Sequence, residues 1–170
     1  MSMTKTWVLA DPHFGHANIC NFLREDGSKL RPWDNVEDHD EALIQNWNNV
    51  VDDKDRVYVL GDLCIHRRDI SIVSACKGRK VLVKGNHDIF HLKDYTPYFD
   101  DIRAYVVMPK FKGDTKLIMS HIPIHPDSLG RFGVNVHGHL HGGSVKDDDR
   151  YICVSMEHIN YTPILLDSLL

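Results

Sequence analysis

Lys80-Val81-Leu82-Val83-Lys84-Gly85-Asn86-His87-Asp88 is a short apolar run handed directly to a polar motif. Lys80–Lys84 reads as a buried strand, and Gly85-Asn86-His87-Asp88 as the loop at its carboxyl end. The same pattern stands twice upstream. Thr6–Ala10 delivers Asp11-Pro12-His13, and Arg56–Leu60 ends at Gly61-Asp62. Helical stretches separate the strands. Val36–Val50 places Ala42, Leu43, Trp47 and Val50 on one stripe, with Asp34 or Asn35 as its cap. Ile70–Cys76 reads as a helix ended near Gly78, and Ile19–Arg24 as a shorter one. Strands alternating with helices predict an α/β fold. Polar motifs just past the strand ends stand where open α/β sheets place their ligands.

Downstream the pattern is richer in strands. Ala104–Met108 and Lys116–Met119 flank Gly113-Asp114, a hairpin turn in this reading. The second of these strands leads into Ser120-His121. Gly133–Val136 runs toward Gly138-His139-Leu140-His141, and Arg150–Ser155 and Ile164–Leu166 read as the last strands. No repeat or linker divides the chain, so one domain over 1–170 is expected. That length suits a single hydrophobic core.

Composition narrows the function. The net charge is -4 and the pI about 6.3, which argues against broad contact with a nucleic-acid backbone. Four scattered cysteines, Cys20, Cys64, Cys76 and Cys153, lack the spacing of a zinc knuckle or a disulfide framework. No stretch approaches the roughly 20 apolar residues of a membrane span, and a reducing cytoplasm is the expected compartment. Twelve histidines in 170 residues are a prior toward metal, because His is the commonest metal ligand.

The motifs supply the chemistry. Asp11 and His13 stand two apart on extended chain, so both side chains can reach one cation; His139 and His141 repeat the spacing. Asp62 follows a glycine, which permits a tight turn. Asn86 offers a neutral oxygen beside His87. A mixed Asp/Asn/His set without thiolates suits a transition metal better than magnesium or a structural zinc cluster.

In order and content the five motifs closely resemble those of the calcineurin-like metallophosphoesterases, over nearly the whole chain. Asp11-Pro12-His13-Phe14-Gly15-His16-Ala17-Asn18-Ile19, with Arg31-Pro32-Trp33, Asn46-Trp47-Asn48 and Val59-Leu60-Gly61-Asp62, resembles a compact bacterial and bacteriophage branch of that family. The resemblance implies a four-layer α/β/β/α sandwich without a cap. It implies that Asp11, His13 and His141 bind a first divalent metal ion and that Asp62 bridges to a second, held by Asn86, His121 and His139. Manganese heads the candidates, with iron, zinc, nickel or cobalt behind it. The pair would lower the pKa of a bridging water for attack on a phosphate ester. His87 would be the general acid, a role worth roughly 10²–10⁴-fold, with Asp88 orienting it. Asn86, His16 and Arg31 are candidate substrate contacts. Ser120 stands where many relatives have glycine.

The expected activity is hydrolysis of a phosphodiester or phosphomonoester, with a small nucleotide-like substrate and no duplex or membrane partner, in a bacterial or phage-infected cell. Two rivals are a nuclease acting on single strands or ends and a metal-stabilised nucleotide-binding protein without turnover. His66, His125 and His137 read as polar loop residues; His39, His91 and His158 as surface or packing residues; Trp33, Trp47 and Cys64 as core. Arg67-Arg68 reads as a solvated helix start.

Overall fold

The computed structural model describes residues 3–169; residues 1, 2 and 170 of the expected domain lie outside the described residues. Its strands in chain order are β1 (Thr6–Leu9), β2 (Arg56–Val59), β3 (Arg79–Val83), β4 (Asp101–Arg103), β5 (Val106–Met108), β6 (Leu117–Ser120), β7 (Val134–His137), β8 (Tyr151–Cys153) and β9 (Ile164–Leu165). They form two sheets, ordered β4-β3-β2-β1-β9 and β5-β6-β7-β8. β1 to β4 pair in parallel, and only β9 runs against them. In the second sheet β6, β7 and β8 are parallel and β5 is antiparallel.

The parallel strands are apolar on successive residues because both faces are covered. Trp7, Leu9, Val57, Val59 and Leu82 face a core completed by Leu43 and Trp47 of the helix α1 (Val36–Val50). Val8, Ala10, Tyr58, Leu60, Val81 and Val83 face the other way and meet Leu117, Met119, Val134 and Val136 of the second sheet. Alternation along each strand thus builds a helix layer, a sheet and a second sheet. The α1 cap is Asn35, whose side chain accepts the Asp38 N–H at 2.8 Å. The outer face of the second sheet is covered by chain without a long helix. There Ile124 N donates to Asn135 Oδ1 at 2.9 Å and Tyr151 OH to the Ile124 carbonyl at 2.7 Å. The result is a mixed α/β domain with two parallel-rich sheets and few helices. The other α-helices among the described residues are the four-residue α2 (Leu92–Tyr95) and α3 (Pro126–Leu129).

Three local expectations are corrected. The stretch expected as a helix over Ile70–Cys76 is a 3-10 segment, Arg67–Ala75; Ile70, Ile72 and Val73 are β-branched and disfavour α geometry. The short helix expected over Ile19–Arg24 is likewise 3-10 and earlier, at Ala17–Asn21. His137 is no loop residue. It ends β7, is fully buried, and its Nδ1–H donates to the Gly138 carbonyl at 2.8 Å.

Candidate metal centre

Every candidate ligand stands just past a strand's carboxyl end. Asp11 and His13 follow β1, Asp62 follows β2, Asn86 follows β3, His121 follows β6, and His139 and His141 follow β7. Backbone hydrogen bonds tie the loops within each sheet: Asp11 N donates to the Gly61 carbonyl at 3.0 Å, His13 N to that of Asp62 at 3.1 Å, and Gly138 N to that of His121 at 2.9 Å. The two sheets meet at Ala10, whose N donates to the Val154 carbonyl at 2.9 Å and whose carbonyl accepts the Met156 N–H at 3.1 Å. The backbone is strained where the ligands stand. Asp11, His13, Asp62, His139 and His141 all have φ between 49° and 71°, a region side chains other than glycine's seldom adopt. Gly61 lets these loops close: at φ 83° a Cβ would come within 2.5 Å of Gly85 N and 2.6 Å of His121 Nδ1.

Two groups of potential ligands result, Asp11 with His13 and His141, and Asp62 with His121 and His139. Asp62 stands between them. Its Oδ2 lies 3.7 Å from His13 Nε2 and 3.4 Å from His121 Nε2, while its Oδ1 accepts the His87 N–H at 2.9 Å. Asn86 joins the second group, with Oδ1 at 2.9 Å from His121 Nε2. Second contacts fix which atom each ligand presents. The His121 Nδ1–H donates to the Leu60 carbonyl at 2.8 Å, leaving Nε2 for the group. The His141 Nδ1–H donates to Glu157 Oε1 at 3.2 Å, the carboxylate–histidine arrangement common behind metal ligands. Asp11 Oδ2 accepts from His139 N at 2.8 Å and Ser155 Oγ at 2.6 Å. That leaves Asp11 Oδ1 buried without a partner, as are both ring nitrogens of His13.

These orphaned atoms fit a cation. Buried polar atoms without partners are rare because they forfeit hydration. Burial, with Arg31 and the neighbouring histidines, holds the His13 imidazole well below its usual range, so it is neutral, the form that binds metals. Burial pushes the Asp11 carboxyl up, outweighing His121 and His141; a cation would favour its charged form. His121 goes the other way. Burial opposes its charge, but Asp62 and Asp11 raise its pKa. A proton on Nε2 serves two acceptors there, Asn86 Oδ1 and Asp62 Oδ2, and a cation could serve the same atoms.

His87 and His16 flank the first group, their rings 5.8 and 5.6 Å from that of His13. His87 is exposed and His16 half-buried, so both stand between the group and solvent. His125 is remote from this chemistry: its ring accepts the Asp127 N–H at 3.2 Å and caps α3.

Two expected roles are corrected. Arg31 is fully buried, with no face toward a substrate. It donates to the carbonyls of Asp11 at 2.5 Å and Pro12 at 2.8 Å and to Glu157 Oε1 at 2.9 Å, with His39 Nε2 at 2.8 Å. It is a clamp beneath the first motif. Asp88 has no hydrogen bond to the His87 ring. Its buried carboxylate accepts the backbone N–H groups of Asp62, Leu63 and Gly85 at 2.8, 3.1 and 2.7 Å. It joins the second and third motifs as a positioning residue.

Glu157 and Ser155 were not singled out by the sequence, and His39, read there as a surface or packing residue, is a buried partner of Arg31. Burial works against the Glu157 charge, yet His141 and Arg31 hold its carboxyl at about 2. Nothing local marks Glu157, because its partner Arg31 lies 126 residues away.

Fold and site together define a mixed α/β protein with two buried His/Asp groups that could hold metal ions. The chain belongs to the same family as an uncharacterized protein of Methanocaldococcus jannaschii, 34% identical over 181 residues that span 98% of this chain and 90% of that protein. The Gene 66 protein of Mycobacterium phage L5 is 28% identical over 171 residues, 82% of this chain and 78% of its own. Among solved structures, a protein of unknown function from Aquifex aeolicus superposes with a TM-score of 0.69 at 25% identity, covering 95% of both chains. No family model matches the chain. Among the described residues no helix is long and apolar enough to cross a membrane.

Proposed function

We propose that the chain is a binuclear metal-dependent phosphoesterase of the calcineurin-like metallophosphoesterase kind, with a four-layer α/β/β/α plan whose outermost layer is reduced to loop and α3. The observation that carries this reading is the shared carboxylate. Asp62 Oδ2 faces His13 on one side and His121 on the other, so two ligand groups converge on one residue. Asp11, His13 and His141 would hold one divalent cation, and Asn86, His121 and His139 the other, with manganese the leading candidate. When bound, such a pair supplies Lewis-acid activation of water and of phosphate oxygens.

The chain's own residues do the rest. Glu157 and the Leu60 carbonyl keep the protons of His141 and His121 on Nδ1, so both rings present Nε2. His87 hangs over the site from a backbone pinned by Asp62 Oδ1. From there its exposed imidazole can pass a proton to a departing alkoxide oxygen. His16, its ring 5.6 Å from that of His13, would be a hydrogen-bonding contact for a phosphoryl oxygen. The substrate would be a small, nucleotide-like phosphate ester. The phage relative agrees with a role in bacterial or infected cells.

A nuclease acting on single strands or ends is the second reading. A groove of about 600 Å3 lined by Arg67, Arg68, Lys93 and Asp94 is the feature that bears on it; a phosphate backbone there would have to draw Arg67 from Asp94 and Arg68 from Asp69.

The deciding experiment is hydrolysis of bis-p-nitrophenyl phosphate and p-nitrophenyl phosphate by chelated protein, by manganese-reloaded protein and by His87→Ala. Turnover that returns with manganese and is lost in the variant is the expected result. No turnover from protein holding two metal ions would overturn the reading in favour of binding without catalysis.

A further inference from the structure

Beside the second ligand group lies a pocket of about 410 Å3, within the roughly 300–1,000 Å3 of small-molecule sites. Asn86 and His121 form its inner end. Its apolar lining is Ala104, Tyr105, Ile118, Ile122 and Ile124. We propose that this pocket receives one arm of the ester, and that the arm is a flat, uncharged ring such as an aryl group or a nucleobase. The inference rests on the phosphoesterase reading and deepens it to a substrate class.

Three observations carry it. First, the pocket shares Asn86 and His121 with the centre, so a group there is continuous with a phosphoryl group held at the centre. Second, its walls keep large side chains in water without a structural reason. Tyr105 is 58% and Ile122 51% exposed. Isolated exposed apolar residues are ordinary, but here they gather around one concavity at a site. Third, apart from His121, whose Nε2 is turned to Asn86 and Asp62, the lining offers no charge to an occupant. The other cation of the lining, the Lys84 ammonium, sits 5.8 Å from the Tyr95 ring centre, over a side chain of the helix-side core. The Ser120 hydroxyl is engaged as well, donating to the Ile122 carbonyl at 2.7 Å and accepting from Asn135 Nδ2 at 3.0 Å. A charged arm would lose hydration with nothing in return. A flat apolar arm can lie against the Tyr105 ring and the isoleucines.

The test is binding of two hydrolysis-inert probes, methylphosphonate and phenylphosphonate, to manganese-loaded protein by calorimetry. Phenylphosphonate is expected to bind at least about tenfold more tightly, as apolar pockets discriminate by roughly 10–200-fold per group. Ala104→Trp, which fills the pocket, and Ile122→Asp, which charges its rim, should each bring the ratio to within about threefold. Metal content and melting temperature are checked for both variants. Equal affinities, a preference that both substitutions leave untouched, or binding of neither probe would overturn the proposal. Hydrolysis of bis-p-nitrophenyl phosphate is followed in parallel. A phenyl preference without turnover sinks the esterase reading and leaves the pocket; turnover without a preference does the reverse.

Discussion

The carboxylate of Asp88 accepts the backbone N–H of Asp62 at 2.8 Å, and with the same oxygen that of Gly85 at 2.7 Å. One side chain therefore sets the spacing of Asp62, the carboxylate between the two ligand groups, and the loop that carries Asn86 and His87. Asp88→Asn places an amide N–H₂ where an N–H already points, whichever way the amide turns. A loss of about 2 kcal/mol is expected, the usual consequence of a buried donor left unsatisfied. Urea unfolding measures it. Because Asp88 acts through Asp62, metal retained after gel filtration should fall too, and an unchanged metal content would place Asp88 outside the site's support.

Arg31 answers to stability in the same way. Its guanidinium binds Glu157, which is buried with it. Removing one partner of such a pair strands a buried charge, so Arg31→Ala should cost about 3–5 kcal/mol. Arg31→Lys should rescue little of this, since one ammonium cannot span the two carbonyls, Glu157 and His39 from a planar fork. Thermal unfolding of both variants is the measurement. A variant of normal stability with a raised KM would return Arg31 to the role of substrate contact.

Strand-end motifs were the legible part of this chain. Each potential ligand follows an apolar run within a few residues, so the sequence placed them at the carboxyl ends of strands, and their grouping came from the family resemblance. Contacts between distant residues left no such trace. Ser155 reaches Asp11 across 144 positions, and Arg31 reaches Glu157 across 126. Adjacency misled as well: Asp88 follows His87 in the chain, yet its side chain turns under Asp62. β4, only three residues long, is too short to give a period, and the 3-10 segment Arg67–Ala75 was indistinguishable from a helix by its apolar residues alone.

Asp55 governs acid stability away from the site. It is buried and accepts from Lys5 N at 2.9 Å, Trp7 Nε1 at 2.9 Å and Asp52 N at 3.1 Å. Burial opposes its charge, but these donors outweigh it and hold its carboxyl below the ordinary 3.8. A carboxylate depressed in the folded state adds stability above its unfolded pKa, and the gain fades as pH falls through the folded value. Stability should therefore decline below about pH 4. Asp55→Asn should flatten that part of the acid limb and lower stability at pH 7 by about 2 kcal/mol. An acid limb of unchanged slope in the variant would assign the pH dependence elsewhere.

The left-handed potential ligands should couple metal binding to stability with opposite signs. His139 has φ 71°, a conformation that costs a non-glycine residue roughly 1–2 kcal/mol. Glycine adopts it freely but loses about 0.5–1 kcal/mol in chain entropy. In chelator, His139→Gly should thus be as stable as the parent or more so, by up to about 1.5 kcal/mol. The backbone N–H that meets Asp11 survives the change. With manganese the order should reverse, because an ion that binds only the folded state adds about 2.7 kcal/mol at a hundred times its Kd, and the variant lacks a ligand. Urea unfolding of both proteins with chelator and with manganese gives four values. A parent that manganese does not stabilise would remove the ion from the account; a variant stabilised as much as the parent would remove His139 from its ligands.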